Sequence, residues 1–231
     1  GGNSGNPVAE ARNILNDLTG NGGQTIAPLP QTVNGVELTT VRGWLANLYP
    51  WDYNPEDSTV HPVSRLWTQY QRPTPFQMAE QCRQIKDFGG GAAVLEYNPN
   101  PTHYDHNYWL SNNFAGDCGP FFLLYEHIFG TRFVPADGGP KNMSDPYNRK
   151  VFGEDIDFMF RNVICPNNVC NPRYATVNGR AVIYMWSSVQ MTGDFAGLLE
   201  EIKREYPVFF IGSGDLLARP KTDEQISRMK S

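Results

Sequence analysis

Charge is scarce in this chain. Asp, Glu, Lys and Arg make up 19% of its 231 residues, against about a quarter in an average protein. Basic residues number 19 and acidic residues 24, a net charge of -5. No basic excess exists to neutralise a phosphate backbone, which sets nucleic acid aside as a partner. Long apolar runs are missing too: none approaches the ~18 residues of a membrane span. No apolar N-terminal h-region is visible, so any signal peptide is expected to be already absent. No Cys-x-x-Cys pair occurs, which argues against a zinc ribbon or a thioredoxin-like redox site. No Gly-x-Gly-x-x-Gly follows the first strand, and there is no Gly-x-Ser-x-Gly or Gly-Lys-Ser/Thr. A dinucleotide fold, a nucleophile elbow and a phosphate-binding loop are therefore not expected.

What is present is Gly (22 residues), Pro (18) and aromatics (13%). So many rings could hardly stay solvated, so the chain reads as globular with elaborate loops, and it is long enough to bury a sizeable core. Low charge with abundant Asn, Gly, Trp and Tyr resembles secreted glycan-handling proteins. The cysteines are Cys82, Cys118, Cys165 and Cys170. Cys165 and Cys170 bracket a short turn-rich segment suited to a local disulfide. A Cys82–Cys118 bridge would complete an even count in an oxidising compartment. Asn142-Met143-Ser144 is a glycosylation sequon in a loop. Together these place the chain outside the cell, as a secreted or extracellular protein.

Two regions are expected. Residues 1–38 read as an N-terminal helix, capped by Asn6-Pro7 and stopped at Gly20, followed by a polar linker. Residues 39–231 read as one α/β domain. Strands are predicted over 40–50, 91–97, 120–128, 181–186 and 208–211. Helices are predicted from Thr74-Pro75 to Phe88, over 155–163, from Phe195 to Tyr206 and from Thr222. The strands are nearly continuous apolar runs, as in a parallel sheet covered on both faces. Each ends in polar or aromatic residues, and the long loops follow those ends. This asymmetry marks the functional face of a (β/α) barrel or an open α/β sheet. The expected fold is (β/α)8 TIM-barrel-like, but about five strands fall short of eight: either this is a partial barrel that another chain or segment would complete, or strands escape the reading, or the sheet is open.

The strand ends gather Asp52, Glu96, Glu126 with His127, and Asp215. Paired carboxylates at such a rim suit glycoside hydrolysis, one acting as acid and the other as base or nucleophile. If Glu96 and Glu126 end adjacent strands, their carboxyls would lie roughly 5–6 Å apart, the retaining separation. Glu126 and Asp215 would lie roughly 9–10 Å apart, towards the inverting range. Trp44, Trp51, Trp67, Trp109 and Trp186 sit mostly at strand ends or in the loops beyond them, where rings stack on sugars. His103, Asp105 and His106 match no sharp metal motif, and no metal or other cofactor is expected. A metal-dependent oxidase on that loop is the more distant alternative.

Tyr49-Pro50-Trp51, then His61 and Trp67, then Gln81 and Ile85, resembles the opening of glycoside hydrolase family 99 and its relatives. The run from Phe121 through Glu126-His127 to Arg132 resembles that family's strand with a catalytic Glu and a nearby Arg. Arg173-Tyr174 and Asn178-Gly179-Arg180 leading to Tyr184 resemble a further segment of it. The likeness spans about residues 41–215. It implies a (β/α)8 barrel acting on mannose-containing glycans without a metal, with Glu126 near the sugar 2-hydroxyl and Arg132 shaping the site. Phe129 stands where the family carries its second Glu, so the acid would come from Asp215, Glu96 or a further segment. The expected function is glycoside hydrolysis of a polysaccharide or glycan, with Tyr49, Trp51, Asp52, Tyr97, His127, Arg132, Tyr184 and Trp186 binding substrate. The alternative is a non-catalytic carbohydrate-binding or structural module on the same barrel.

Overall fold

A computed structural model describes residues 28–48, 82–97, 119–126, 132–136 and 139–212. Over these residues the chain is mixed α/β, built on a mostly parallel sheet. Its central strands are β2 (Trp44–Leu48), β3 (Gly90–Tyr97), β4 (Phe121–Tyr125), β7 (Arg180–Met185) and β9 (Val208–Gly212). They lie side by side in chain order, β2-β3-β4-β7-β9, and every neighbouring pair is parallel. These are the five strands expected from the apolar runs. Their side chains explain the runs: β4 is Phe-Phe-Leu-Leu-Tyr and is buried at every position. Both its faces meet protein, so no polar alternation survives.

Four short strands complete the pattern. β6 (Ala175–Val177) forms an antiparallel hairpin with β7 through Asn178-Gly179, both at positive φ (51° and 70°). That is the geometry an Asn-Gly two-residue turn supplies. β1 (Val36–Glu37) runs parallel to β6, and the Glu37 carboxylate accepts from the Asn178 amide at 3.0 Å. With Leu29 and Val33 buried, the segment just ahead of residue 39 is packed into this end of the sheet. β5 (Lys141–Asn142) pairs in parallel with β8 (Met191–Thr192) as a separate ribbon. It joins the chain following β4 to the chain following β7.

Residues 82–87 are helical, and Cys82 and Ile85 face the core. The loop expected to run to about Gly153 ends earlier, at helix α1 (Pro146–Met159), which continues into a wider π turn over Phe160–Ile164. Asp145 caps α1, accepting from the Tyr147 and Asn148 amides, and Pro146 supplies the pre-set first position. Asp145→Ala is expected to lower unfolding free energy by about 1 kcal/mol in chemical denaturation. Helix α2 (Phe195–Glu205) begins at Asp194 and buries Phe195, Leu198 and Ile202 at helical spacing. Pro207 prevents its continuation.

Both helices pack on one face of the sheet. Phe152 of α1 meets Tyr125 edge-on at 5.8 Å and also contacts Phe210 of β9. Phe158 stacks on Tyr97 at 5.9 Å, and Phe195 of α2 meets Phe152 at 5.9 Å. A close backbone approach joins β2 to β3: Gly43 has φ +104°, and a Cβ there would lie 2.2 Å from the Gly89 carbonyl oxygen. Cys165 and Cys170 form the expected local disulfide after the π turn. Cys82 is also disulfide-bonded, and Cys118 lies outside the described residues. Among the described residues no helix is long and apolar enough to cross a membrane.

Candidate functional site

Strand alternation and register sort the strand-end residues by face. Tyr97, Tyr125, Met185 and Gly212 lie level across β3, β4, β7 and β9. The ring contacts above put this row on the helix-covered face. One residue earlier, Glu96, Leu124, Tyr184 and Ile211 form the matching row on the opposite face. The ladder continues past the strand ends: the Glu126 amide donates to Tyr97 O at 2.9 Å, and the Trp186 amide donates to Tyr125 O at 3.2 Å. Alternation then carries Glu126 and Trp186 to the face of Glu96 and Tyr184. Register and alternation thus put four of the expected site residues on one face, at the carboxyl ends of three adjacent parallel strands.

Their burial differs in a telling way. Glu96 is fully buried and Glu126 is 8% exposed, whereas Trp186 is 40% exposed. Two carboxylates taken out of water on one face cost folding free energy and must be repaid by their surroundings. An indole left in water at the end of a central strand gains little for the fold. Ser187, directly after Trp186, holds the left-handed conformation at φ 50° without being glycine. Such a conformation costs of order 1 kcal/mol and concentrates at functional sites.

The register also refines the carboxylate spacing. Glu96 lies opposite Leu124, two residues below Glu126. Neighbouring strands about 4.8 Å apart and a rise of about 3.3 Å per residue separate the two backbones by about 8 Å. The level arrangement behind the 5–6 Å expectation is therefore replaced by a diagonal one.

Two further expected site residues lie elsewhere. Tyr97 is on the helix-covered face, stacked between Tyr125 and Phe158. Arg132 is held by α1, donating to Glu154 at 2.6 Å and to Asp155 at 2.5 Å. Tyr49, Trp51, Asp52, His127 and Asp215 lie outside the described residues, as do Phe129 and the His103, Asp105 and His106 group. Among the described residues no three His, Cys, Asp or Glu side chains are grouped to hold a metal.

The sequence reading missed Asp155. It is buried on α1 and accepts from the Tyr125 hydroxyl at 2.6 Å as well as from Arg132. Burial pushes its carboxyl from the ordinary 3.8 up to about 6, against the opposing pull of Arg132 and Tyr125. Burial, with the Asp155 charge beside them, also lifts the Tyr97 and Tyr125 hydroxyls well above the usual tyrosine range. The sign follows from linkage. The folded chain binds this proton more tightly than the unfolded chain, so the resulting stabilisation is full below 3.8 and is lost as pH rises through about 6. The unfolding free energy of wild type relative to Asp155→Asn should fall by about 3 kcal/mol from acid to neutral pH. Parallel denaturation curves across that range check it, and a flat difference contradicts it.

Compared with known proteins, the chain gives no significant match to a family model, to a curated protein or to a solved structure.

Proposed function

We propose that this chain is a glycan-active (β/α)-barrel domain, and that it hydrolyses glycosidic bonds on the sheet face carrying Glu96, Glu126, Tyr184 and Trp186. The observation that carries this reading is the pair of buried carboxylates at the carboxyl ends of neighbouring parallel strands, with an exposed indole on the next strand. Two carboxylates are the chemical requirement for this reaction, and an aromatic rim is what a sugar ring stacks on. The strand order supports a barrel wall. Five parallel strands follow one another without reversal, and α1 and α2 lie on one face. A doubly wound sheet would reverse its order and place helices on both faces.

Glu126, the more accessible of the pair, is assigned as base or nucleophile. Glu96, enclosed below it, is assigned as the acid. Tyr184 and Trp186 line the saccharide cleft. The Cys165–Cys170 disulfide is consistent with a secreted protein.

The test is incubation of the purified chain with a panel of plant, fungal and mannose-containing oligosaccharides, with products separated by mass. Cleavage of at least one member, lost in Glu126→Gln, is expected. Binding without cleavage would replace the enzyme by a carbohydrate-binding module, and neither binding nor cleavage would end the glycan reading.

A further inference from the structure

Asp155 belongs to α1, yet it grips the chain on both sides of Glu126. Tyr125, the preceding residue, donates its hydroxyl to Asp155 Oδ2 at 2.6 Å. Arg132, a little further along the chain, donates to Asp155 Oδ1 at 2.5 Å and to Glu154 at 2.6 Å. The segment is fastened again just beyond. Val134 N donates to Asn148 Oδ1 at 2.9 Å, and Val134 O accepts from Asn148 Nδ2 at 2.8 Å. The buried Lys141 donates to the Pro135 carbonyl. Tyr125 is itself locked from the other side, since Trp186 N donates to its carbonyl. A side chain on the helix-covered face thus fixes where a residue on the opposite face can stand.

We propose that Asp155 is a positioning residue for Glu126, holding both flanks of that carboxylate against α1 through Tyr125 and Arg132. The inference rests on Glu126 belonging to the site proposed above. The groups facing Asp155 are Tyr125 from β4, Tyr97 from β3, Arg132 from the segment after β4, and Glu154 on α1 itself. Arg132 is the cation among them, so the grip is charge-assisted and depends on an ionised Asp155. Because the carboxyl protonates near pH 6, acid converts the contact to a neutral one and leaves Arg132 to Glu154. The clamp loosens at the acid end even as the fold as a whole gains from the proton.

The experiment uses the whole chain and no sugar. Two quantities are followed against pH: the side-chain carboxyl carbon resonance of Glu126, and amide hydrogen exchange over residues 125–136, corrected for intrinsic rates. In wild type the Glu126 resonance should carry an inflection at the pH where Asp155 titrates. Exchange over 125–136 should become roughly 10- to 100-fold faster below that pH, the loss of one hydrogen bond to a charged group. Both steps should vanish in Asp155→Asn, while exchange in α2 and β7 stays unchanged. Arg132→Gln, at a partly exposed position, should give the fast rate at neutral pH. A Glu126 resonance blind to the Asp155 titration, or exchange over 125–136 unaltered in Arg132→Gln, would overturn the proposal. Failure to cleave or bind any glycan would instead overturn the reading of the site and leave the clamp intact.

Discussion

Glu126→Gln is expected to lower turnover of a cleaved glycan by about 10²- to 10⁴-fold, the usual worth of a positioned acid or base. Glutamine keeps the size and planarity of the carboxyl but can neither take a proton nor form a glycosyl ester. The substitution also removes a charge from a site only 8% exposed, so it should leave the melting temperature level or slightly raised. Sugar affinity should change little, because the stacking surface at Tyr184 and Trp186 is untouched. Loss of kcat with KM preserved is thus the signature, since it marks an interaction made only in the transition state. Glu96→Gln should also abolish turnover. Its defect should be smallest on substrates whose leaving group needs no protonation, such as activated aryl glycosides. Equal losses of turnover and stability in both variants would instead assign the two carboxylates to the fold.

Phe152→Ala is expected to cost about 3–5 kcal/mol, the largest single loss among the side chains described. Phe152 is fully buried and is the ring at which α1, β4, α2 and β9 meet, through Tyr125, Phe195 and Phe210. Truncation opens a cavity at that junction, and four elements cannot all close on it at once. For a chain of this size the melting temperature should drop by about 10 °C or more. Phe209→Ala is the control. It is the neighbour of Phe210 on the same strand, but points to the other face and is 39% exposed, so its loss should stay near 1 kcal/mol. Comparable losses at Phe152 and Phe209 would mean that the helices do not share the face on which Phe210 lies.

Much of this sheet is legible in the residues alone, for a physical reason. Strands buried on both faces, such as Phe121–Tyr125 and Ala181–Met185, must be apolar throughout, and such runs stand out between polar loops. Their order is not written locally, but chain order is the simplest arrangement that right-handed crossovers allow. The two-residue strands β1, β5 and β8 could not be read, because no periodicity exists in two residues and only their partners make them strands. The start of α1 carried a legible signal in Asp145-Pro146. It was obscured by a first turn without aliphatic residues and by Gly153 within the helix, a residue that usually punctuates. The π turn over Phe160–Ile164 then shifts the apolar spacing by a residue, which moved the apparent helix toward its C-terminal half.

The candidate site divides the same way. Glu96 and Glu126 could be singled out because each interrupts or ends an apolar run, where a carboxylate is out of place. Their stagger could not, since register depends on where β3 and β4 pair rather than on where each run stops. Tyr97 and Glu96 are adjacent in sequence, yet the pleat sends them to opposite faces, and a reading that assigned both to one cleft merged the two. Asp155 was hidden for a different reason. Its partners Tyr125 and Arg132 lie 30 and 23 residues away, and nothing in the local sequence separates it from Glu154 beside it.

The most direct measurement is a calorimetric titration of a cleaved or bound oligosaccharide into Glu126→Gln, repeated in Glu126→Gln with Trp186→Ala added. The shared-face geometry predicts that the first variant binds and that losing the indole weakens binding by about tenfold or more. Identical affinity in the two variants would place the sugar away from this end of the sheet and contradict the account.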